Sequence, residues 1–141
     1  MTPPPRFNVL LIEDNAADVF LLKEALSTHA PCDFTVVGSG DQLFRLFAEP
    51  RPEPKPPAPD LVVLDLNLPG SDGVEILRFI RAHSELRDLA VAVVSSSPKD
   101  IMMKKTAQAD CYLSKPIDLD AFLAMGKDLL ACARARQRGA L

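Results

Sequence analysis

Short apolar runs alternate with amphipathic stretches along the whole chain, and this alternation limits the available folds more than any other feature. Five runs are rich in β-branched or aromatic residues and nearly continuous in apolar character, which is typical of strands covered on both faces. They lie at residues 7–12 (FNVLLI), 34–37 (FTVV), 61–64 (LVVL), 89–94 (LAVAVV) and 111–113 (CYL). The pattern predicts βα units around a parallel sheet.

The amphipathic segments are the predicted helices, and they lie at residues 16–29, 41–48, 73–83, 99–109 and 118–134. In the last of them Asp118 stands in position to cap the helix start. An apolar stripe follows, made of Leu119, Phe122, Leu123, Leu129, Leu130 and Ala133. Because parallel crossovers are right-handed, helices must cover both sheet faces if the strand order reverses partway. The predicted fold class is a doubly wound α/β domain.

Composition and charge exclude several classes of protein. The 141 residues, 48% of them hydrophobic, suit a single domain with a sizeable core. A formal net charge of -3 supplies no broad basic field for nucleic acid or an anionic membrane. No apolar run approaches membrane-spanning length, and the opening MTPPPRFN lacks the apolar stretch of a signal peptide. We expect a cytoplasmic protein that binds neither nucleic acid nor membrane.

Two further features bear on organisation. Cys32, Cys111 and Cys132 are odd in number, widely spaced and form no C-x-x-C pair, so we interpret them as reduced packing residues. Residues 49–59 (EPRPEPKPPAP) carry proline at nearly alternate positions, which forbids helix interior and ladder pairing. We predict that this segment cannot be core and is a surface insertion in one domain spanning residues 1–141, although a partner that reads proline-rich chains is an alternative.

Polar residues stand where the predicted strands end. Glu13 and Asp14 follow the first strand, Asp65 the third and Ser95 the fourth, and the fifth leads into Lys115. In open α/β sheets ligands bind beyond the carboxyl ends of the strands, so these residues can converge on one pocket. Three carboxylates close together repel one another unless a cation neutralises them, and oxygen-only ligands suit Mg²⁺.

The same residues suit phosphoryl chemistry. Asp65 has the attributes of a nucleophile that attacks phosphorus, with Mg²⁺ neutralising the phosphoryl oxygens. Lys115 supplies a second cation. Ser95 offers a hydroxyl to a phosphoryl oxygen, with Ser96 and Ser97 as near competitors for that role. Asn67, two residues beyond Asp65, could complete the metal shell with its backbone carbonyl.

Four strings carry a family resemblance: LLIEDN at 10–15, VVLDLNLPGSDG at 62–73, VVSSS at 93–97 and YLSKP at 112–116. In this order, each at a strand end, they resemble the receiver domains of two-component response regulators over almost the whole chain. The resemblance implies a flavodoxin-like (βα)5 fold with a five-stranded parallel sheet in the order 2-1-3-4-5. It also implies a signalling protein that is not an enzyme, apart from Mg²⁺-dependent self-phosphorylation and slow autodephosphorylation.

The resemblance also implies a role for each site residue. Asp65 becomes the acceptor of a phosphoryl group from the phosphohistidine of a sensor histidine kinase. Mg²⁺ lies among Glu13, Asp14, Asp65 and the Asn67 carbonyl. Ser95 is the switch hydroxyl, where many members carry threonine; Lys115 binds the phosphoryl group; and Tyr112 is the switch aromatic.

A narrower resemblance concerns the partner. The string EDNAADVFLLKEAL, the string DLNLPG and the absence of an output domain resemble the stand-alone regulators that partner bacterial and cyanobacterial phytochromes. This implies a sensor histidine kinase as the partner, with a bacterial phytochrome as the candidate, docking near residues 16–20. Residues 19–22 (VFLL) are four consecutive apolar residues, and on a helix they cover a wider arc than a single buried face. Output then passes through a homodimer, a downstream effector or another phosphotransfer protein.

Three other classes of function remain as alternatives. One is a degenerate receiver that acts as an unphosphorylated scaffold, against which the intact acids and lysine count. A second is a phosphohydrolase of the haloacid-dehalogenase kind. Its chemistry requires a second acid two residues after the nucleophile, where this chain has Asn67. A third is a nucleotide-binding module, but Gly38-Ser39-Gly40 lacks a third glycine because Leu43 fills that position.

Overall fold

The computed structural model describes residues 6–48, 57–98 and 108–139. Its five strands form one parallel sheet in the order β2-β1-β3-β4-β5, which confirms the predicted fold class and strand order. The strands are β1 (Phe7–Ile12), β2 (Cys32–Val37), β3 (Leu61–Asp65), β4 (Ala90–Ser95) and β5 (Cys111–Ser114).

Four helices lie in the described ranges: α1 (Ala16–Ser27), α2 (Gly40–Leu46), α3 (Gly73–Ala82) and α4 (Leu119–Gly139). The helix predicted over 99–109 falls largely on residues 99–107, outside the described part, and Gln108 and Ala109 are not helical. None of the helices described combines the length and apolar character that crossing a bilayer would need.

Capping side chains fix where the helices begin. Asn15 and Ser39 accept hydrogen bonds from the backbone amides of Asp18 and Gln42, at the starts of α1 and α2. Asp72 accepts from Val74 N–H ahead of α3, and Asp118 accepts from Ala121 N–H ahead of α4, as the sequence predicts. Each cap therefore marks the point where the chain leaves a strand end and turns into a helix.

The sheet separates two apolar cores. Successive side chains of a strand point to opposite faces, so β1 sends Val9 and Leu11 to one core and Leu10 and Ile12 to the other. Helices α1 and α4 cover the first core, and α2 and α3 cover the second. Helices on both faces are the arrangement predicted for a sheet whose strand order reverses.

Three details of the sequence interpretation are wrong. Leu119 was expected in the buried stripe of α4, but it is 54% exposed at the first residue of that helix. Met125 and Gly126 are buried instead. Pro59 was expected outside the core, but it is buried two residues before the start of β3, whereas Pro57 and Ala58 are exposed. Residues 49–56 of the proline-rich segment lie outside the described residues.

The cysteines are the third correction. Cys111 on β5 and Cys132 on α4 form a disulfide, with Cα atoms 6.3 Å apart, so neither of them is the reduced thiol that the sequence indicated. Their separation of 21 residues in the chain gave no sign of this, since it is the packing of α4 against the sheet that brings them together. Cys32 is a free, buried thiol, as expected.

Candidate functional site

The carboxyl edge of the sheet brings the predicted site residues together. Asp65 and Ser95 are the last residues of β3 and β4, and Asp65 pairs with Val94 in the sheet register. Glu13 directly follows β1, and Lys115 directly follows β5, where its N–H donates to the Ser95 carbonyl. Parallel pairing places all these strand ends at one edge, because parallel strands finish in the same direction.

Three carboxylates form an acidic cluster at this edge. One oxygen from each of Glu13, Asp14 and Asp65 lies within 4.8 Å of the others. Glu13 is 2% exposed and Asp65 4% exposed, while Asp14 is open to solvent. Backbone amides orient the two buried groups. Asn15 N–H donates to Glu13 Oε1 and Asn67 N–H donates to Asp65 Oδ1, each at a distance of 3.0 Å. This oxygen-only donor set fits a hard divalent cation such as Mg²⁺.

The Lys115 ammonium lies beside both buried carboxylates of the cluster, Glu13 and Asp65. Its Nζ atom is 2.8 Å from Glu13 Oε2, 2.8 Å from Asp18 Oδ2 and 3.2 Å from Asp65 Oδ2. Burial alone would lower the pKa of this ammonium, but hydrogen bonds to Asp18 and Glu13 outweigh burial and raise the pKa above its ordinary value. Lys115 is therefore a fixed positive charge beside Asp65.

The pKa of the Glu13 carboxyl is also raised, but here burial is the main cause. Burial raises the pKa of its carboxyl, the Lys115 ammonium and the Asn15 amide oppose this, and the neighbouring Asp65 raises the pKa further. Added positive charge stabilises the ionised form of a buried acid that lies beside a second acid. The cluster thus favours cation binding electrostatically as well as by its ligand type.

The Ser95 hydroxyl is held by two donors. Asn67 Nδ2 donates to Ser95 Oγ at 2.7 Å, and Ser97 N–H donates to the same oxygen at 3.1 Å. Sequence reasoning gave Asn67 a role only through its backbone carbonyl, and the contact of its side chain was missed. Because Asn67 also donates its backbone N–H to Asp65, one residue links the acid to the hydroxyl.

Tyr112 lies on β5 beside Val93 and is only 9% exposed. Its side chain belongs to the apolar core covered by α2 and α3. The structure therefore places the predicted switch aromatic inside the protein, on the strand next to the one that carries Ser95.

Asp18 is the site residue that sequence reasoning missed. It lies in the first turn of α1, and its carboxylate contacts Lys115 across 97 positions of the chain. The available signal was an acid one helical turn beyond the acidic pair, where a helix that starts at the sheet edge keeps its first turn near the site. That signal is weak, because acids are common in first turns for capping and dipole reasons.

A cavity of about 320 Å³ opens beside Lys115, lined by residues from α1, the loop after β4, the loop after β5 and the start of α4. Its polar lining is Asp18, Ser96 and Lys115, and its apolar lining includes Leu21, Ile117 and Phe122. Ile117 and Leu119 are exposed, and Phe20 on α1 is 62% exposed, in agreement with the run 19–22 being too wide for one buried face. An apolar surface thus lies next to the charged site.

With the fold and the strand-end cluster in place, comparison with known proteins defines the class. Residues 9–127 match the sequence profile described as the response regulator receiver domain, which covers well over half of the chain. The chain belongs to this family. The family-level resemblance drawn from the four strings is confirmed.

Individual relatives point to a narrower group. The response regulator Rcp1 of Synechocystis sp. is 33% identical over 126 residues, which covers 86% of this chain and 84% of Rcp1. The phosphorylated cyanobacterial phytochrome response regulator RcpA has a TM-score of 0.77 and 30% identity, over 88% of this chain and 91% of that structure. Rcp1 in its Mn²⁺-bound form has a TM-score of 0.75 and 29% identity, over 90% and 93%.

A third kind of relative is longer than this chain. The DNA-binding response regulator MtrA of Mycobacterium tuberculosis is 31% identical over 133 residues, but the match covers 94% of this chain and only 51% of MtrA. The chain therefore spans about half the length of that regulator. What the two share is the receiver domain.

Proposed function

We propose that this protein is a cytoplasmic response regulator whose receiver domain accepts a phosphoryl group on Asp65 from a sensor histidine kinase, in a reaction that requires Mg²⁺. Phosphorylation then acts through contacts with other proteins or through phosphorelay. The observation that carries the proposal is the setting of Asp65, a buried carboxylate at a strand end that shares an acidic cluster with Glu13 and Asp14 and has the Lys115 ammonium 3.2 Å away.

The proposed chemistry uses the residues as they stand. An oxygen of Asp65 attacks phosphorus, the bond from phosphorus to the donor's imidazole nitrogen breaks, and that nitrogen keeps the electron pair. Mg²⁺, held by Glu13, Asp14, Asp65 and the Asn67 carbonyl, would supply charge neutralisation to the transferring group. Lys115 would donate to one phosphoryl oxygen, and Ser95 would leave Asn67 to donate to another.

The release of Ser95 is the proposed start of the signal. A phosphoryl group adds about 1.5 to 2 negative charges and three strong acceptors, enough to recruit a hydroxyl now held by neutral donors. Ser95 precedes the loop at residues 96–98, so its movement would shift that loop, and Tyr112 on the adjacent strand would respond to the altered space.

Charged and apolar features together support a kinase docking surface around the site. Ile117 and Leu119 are exposed apolar side chains that line the Lys115 cavity, and Phe20 is exposed on α1, the helix that contributes Asp18 and Leu21 to the same cavity. RcpA is a phytochrome response regulator, which supports a phytochrome-type kinase as the partner. We therefore propose that the kinase covers this surface while its phosphohistidine reaches Asp65.

The experiment that tests the proposal measures intact mass after incubation with acetyl phosphate. We expect a phosphate-sized increase that appears with Mg²⁺, disappears when a chelator is present, and is labile as an acyl phosphate is. A candidate histidine kinase with ATP should produce the same increase. No increase with the small donor and none with any candidate kinase would contradict the proposal and favour the degenerate receiver that acts as a scaffold.

Metal binding gives a separate prediction. At a Mg²⁺ concentration ten times the dissociation constant, linkage stabilises the folded protein by about 1.4 kcal/mol, which raises the melting temperature by roughly 5 °C. We expect this rise in the wild type and its loss in Asp14→Asn, which removes the exposed carboxylate of the acidic cluster. Asp120→Asn on α4 makes the same charge change away from the cluster and should keep the rise. Equal shifts in all three proteins would place the bound metal elsewhere.

A further inference from the structure

The Lys115 ammonium is saturated by carboxylates in the described structure. It has three hydrogens to donate, and Glu13, Asp18 and Asp65 each lie within hydrogen-bond distance of Nζ. The bond to Asp65 is the longest of the three, at 3.2 Å against 2.8 Å for the other two. Lys115 is thus held mainly by its two shorter hydrogen bonds, to Glu13 and Asp18, and its contact with Asp65 is looser.

Two of these three partners have a second role. Glu13 and Asp65 belong to the acidic cluster, whose oxygens lie within 4.8 Å of one another, and both fit a divalent cation. Asp18 is not a member of that cluster. A metal ion bound by Glu13 and Asp65 would leave Asp18 as the carboxylate that is free to keep its hydrogen bond with Lys115.

The local fold makes Asp18 a rigid support. Its backbone N–H donates to the side chain of Asn15, the N-cap of α1, so the first helical turn fixes its position. The Asp18 side chain is 26% exposed and that of Lys115 12% exposed, so the pair is shielded more than a surface ion pair. A charge-assisted hydrogen bond in such a place restricts the long lysine side chain to one orientation.

We propose that Asp18 is a positioning residue, which holds the Lys115 ammonium beside Asp65 while Glu13 and Asp65 are engaged by the metal. Asp18 itself touches neither the metal nor the phosphoryl group and acts only through Lys115. The inference rests on the proposed phosphorylation of Asp65 and adds a residue on which its rate depends.

The kinetic test compares Asp18→Asn with wild type at subsaturating acetyl phosphate and fixed Mg²⁺. The asparagine keeps the shape of the side chain and removes its charge, and we expect the phosphorylation rate to fall about tenfold through loss of lysine orientation. Asp18→Glu, which keeps the charge, should restore most of the rate. The control is Glu24→Gln, an exposed residue on the same helix, which makes the same charge change and should leave the rate unaltered.

A double-mutant cycle then separates positioning from a merely structural effect. In a Lys115→Ala background we expect Asp18→Asn to change the remaining rate less than twofold, because Asp18 has no lysine left to position. The same tenfold loss in that background would overturn the inference, as would a wild-type rate in the Asp18→Asn protein.

A measurement that needs no phosphorylation distinguishes the inference from the proposed function. In ¹⁵N-labelled protein with Mg²⁺ and no phosphodonor, the Lys115 ammonium should give a resolved signal with slow hydrogen exchange, and Asp18→Asn should remove it. An unchanged signal would overturn the inference. If the signal depends on Asp18 but the wild type takes no phosphate from any donor, the positioning contact stands and the proposed function fails.

Discussion

Replacement of Asp65 by asparagine is expected to abolish the Mg²⁺-dependent mass increase, with a labelled fraction at least about 100-fold below that of the wild type. The amide has the shape of the carboxylate but offers no anionic oxygen to attack phosphorus. The variant should fold, because the Asn67 amide can still donate to the side-chain oxygen and Lys115 keeps Glu13 and Asp18 as partners. Intact mass with acetyl phosphate is the measurement, and circular dichroism checks the fold.

Asp120→Asn is the matched control for that experiment. It makes the same chemical change at an exposed position in the first turn of α4 and should be phosphorylated as well as the wild type. A labile phosphate retained by Asp65→Asn at the wild-type level would mean that another residue is the acceptor. In that case the mapped position of the phosphate, rather than the strand-end geometry, would define the reactive centre.

Replacement of Gly126 by alanine is expected to destabilise the protein by about 2 kcal/mol or more, although alanine is the better helix former. A Cβ at this position would overlap the carbonyl oxygen of Ala25 on α1 and lie 2.6 Å from its carbonyl carbon. Backbone atoms cannot rotate away as a side chain can, so α1 and α4 must separate. Overpacking of roughly 3 kcal/mol or more exceeds the helix-propensity gain of about 1 kcal/mol.

Thermal or denaturant unfolding measures this effect, with Ala131→Gly as the reference. Ala131 is exposed on the same helix, so its replacement by glycine reports the propensity difference without a packing change and should cost about 1 kcal/mol. A stabilised Gly126→Ala protein would show that α1 and α4 do not approach as closely as the structure indicates. The result also bears on the site, since α1 carries Asp18.

The strands could be predicted from sequence because a strand covered on both faces must be apolar at nearly every position. All five predicted strands exist, and β1 has the predicted bounds. The boundary errors arise where pairing overrides composition. β2 begins two residues before the predicted start because Cys32 pairs with Phe7 of β1, although Asp33 interrupts the apolar run. β3 includes the charged Asp65, since that residue pairs with Val94.

Helix faces were less predictable than helix positions. The stripe of α4 correctly contained Phe122, Leu129, Leu130 and Ala133, because buried positions recur at helical spacing. Leu119 fits the same spacing but is the first residue of α4 and is exposed. Gly126 is buried without being apolar in side chain, because the close approach of α1 selects for small size. Spacing alone carries neither piece of information.

The sequence by itself determined the class of fold, the edge of the sheet that carries the site, and the presence there of Glu13, Asp14, Asp65, Ser95 and Lys115, because strand ends can be read from local pattern and parallel strands finish at one edge. Only the tertiary structure decided which of those groups touch. It joined Asp18 to Lys115, turned the Asn67 side chain to Ser95, and brought Cys111 to Cys132. Such contacts depend on how each helix rests on the sheet, a relation between distant segments that no local pattern in the chain encodes.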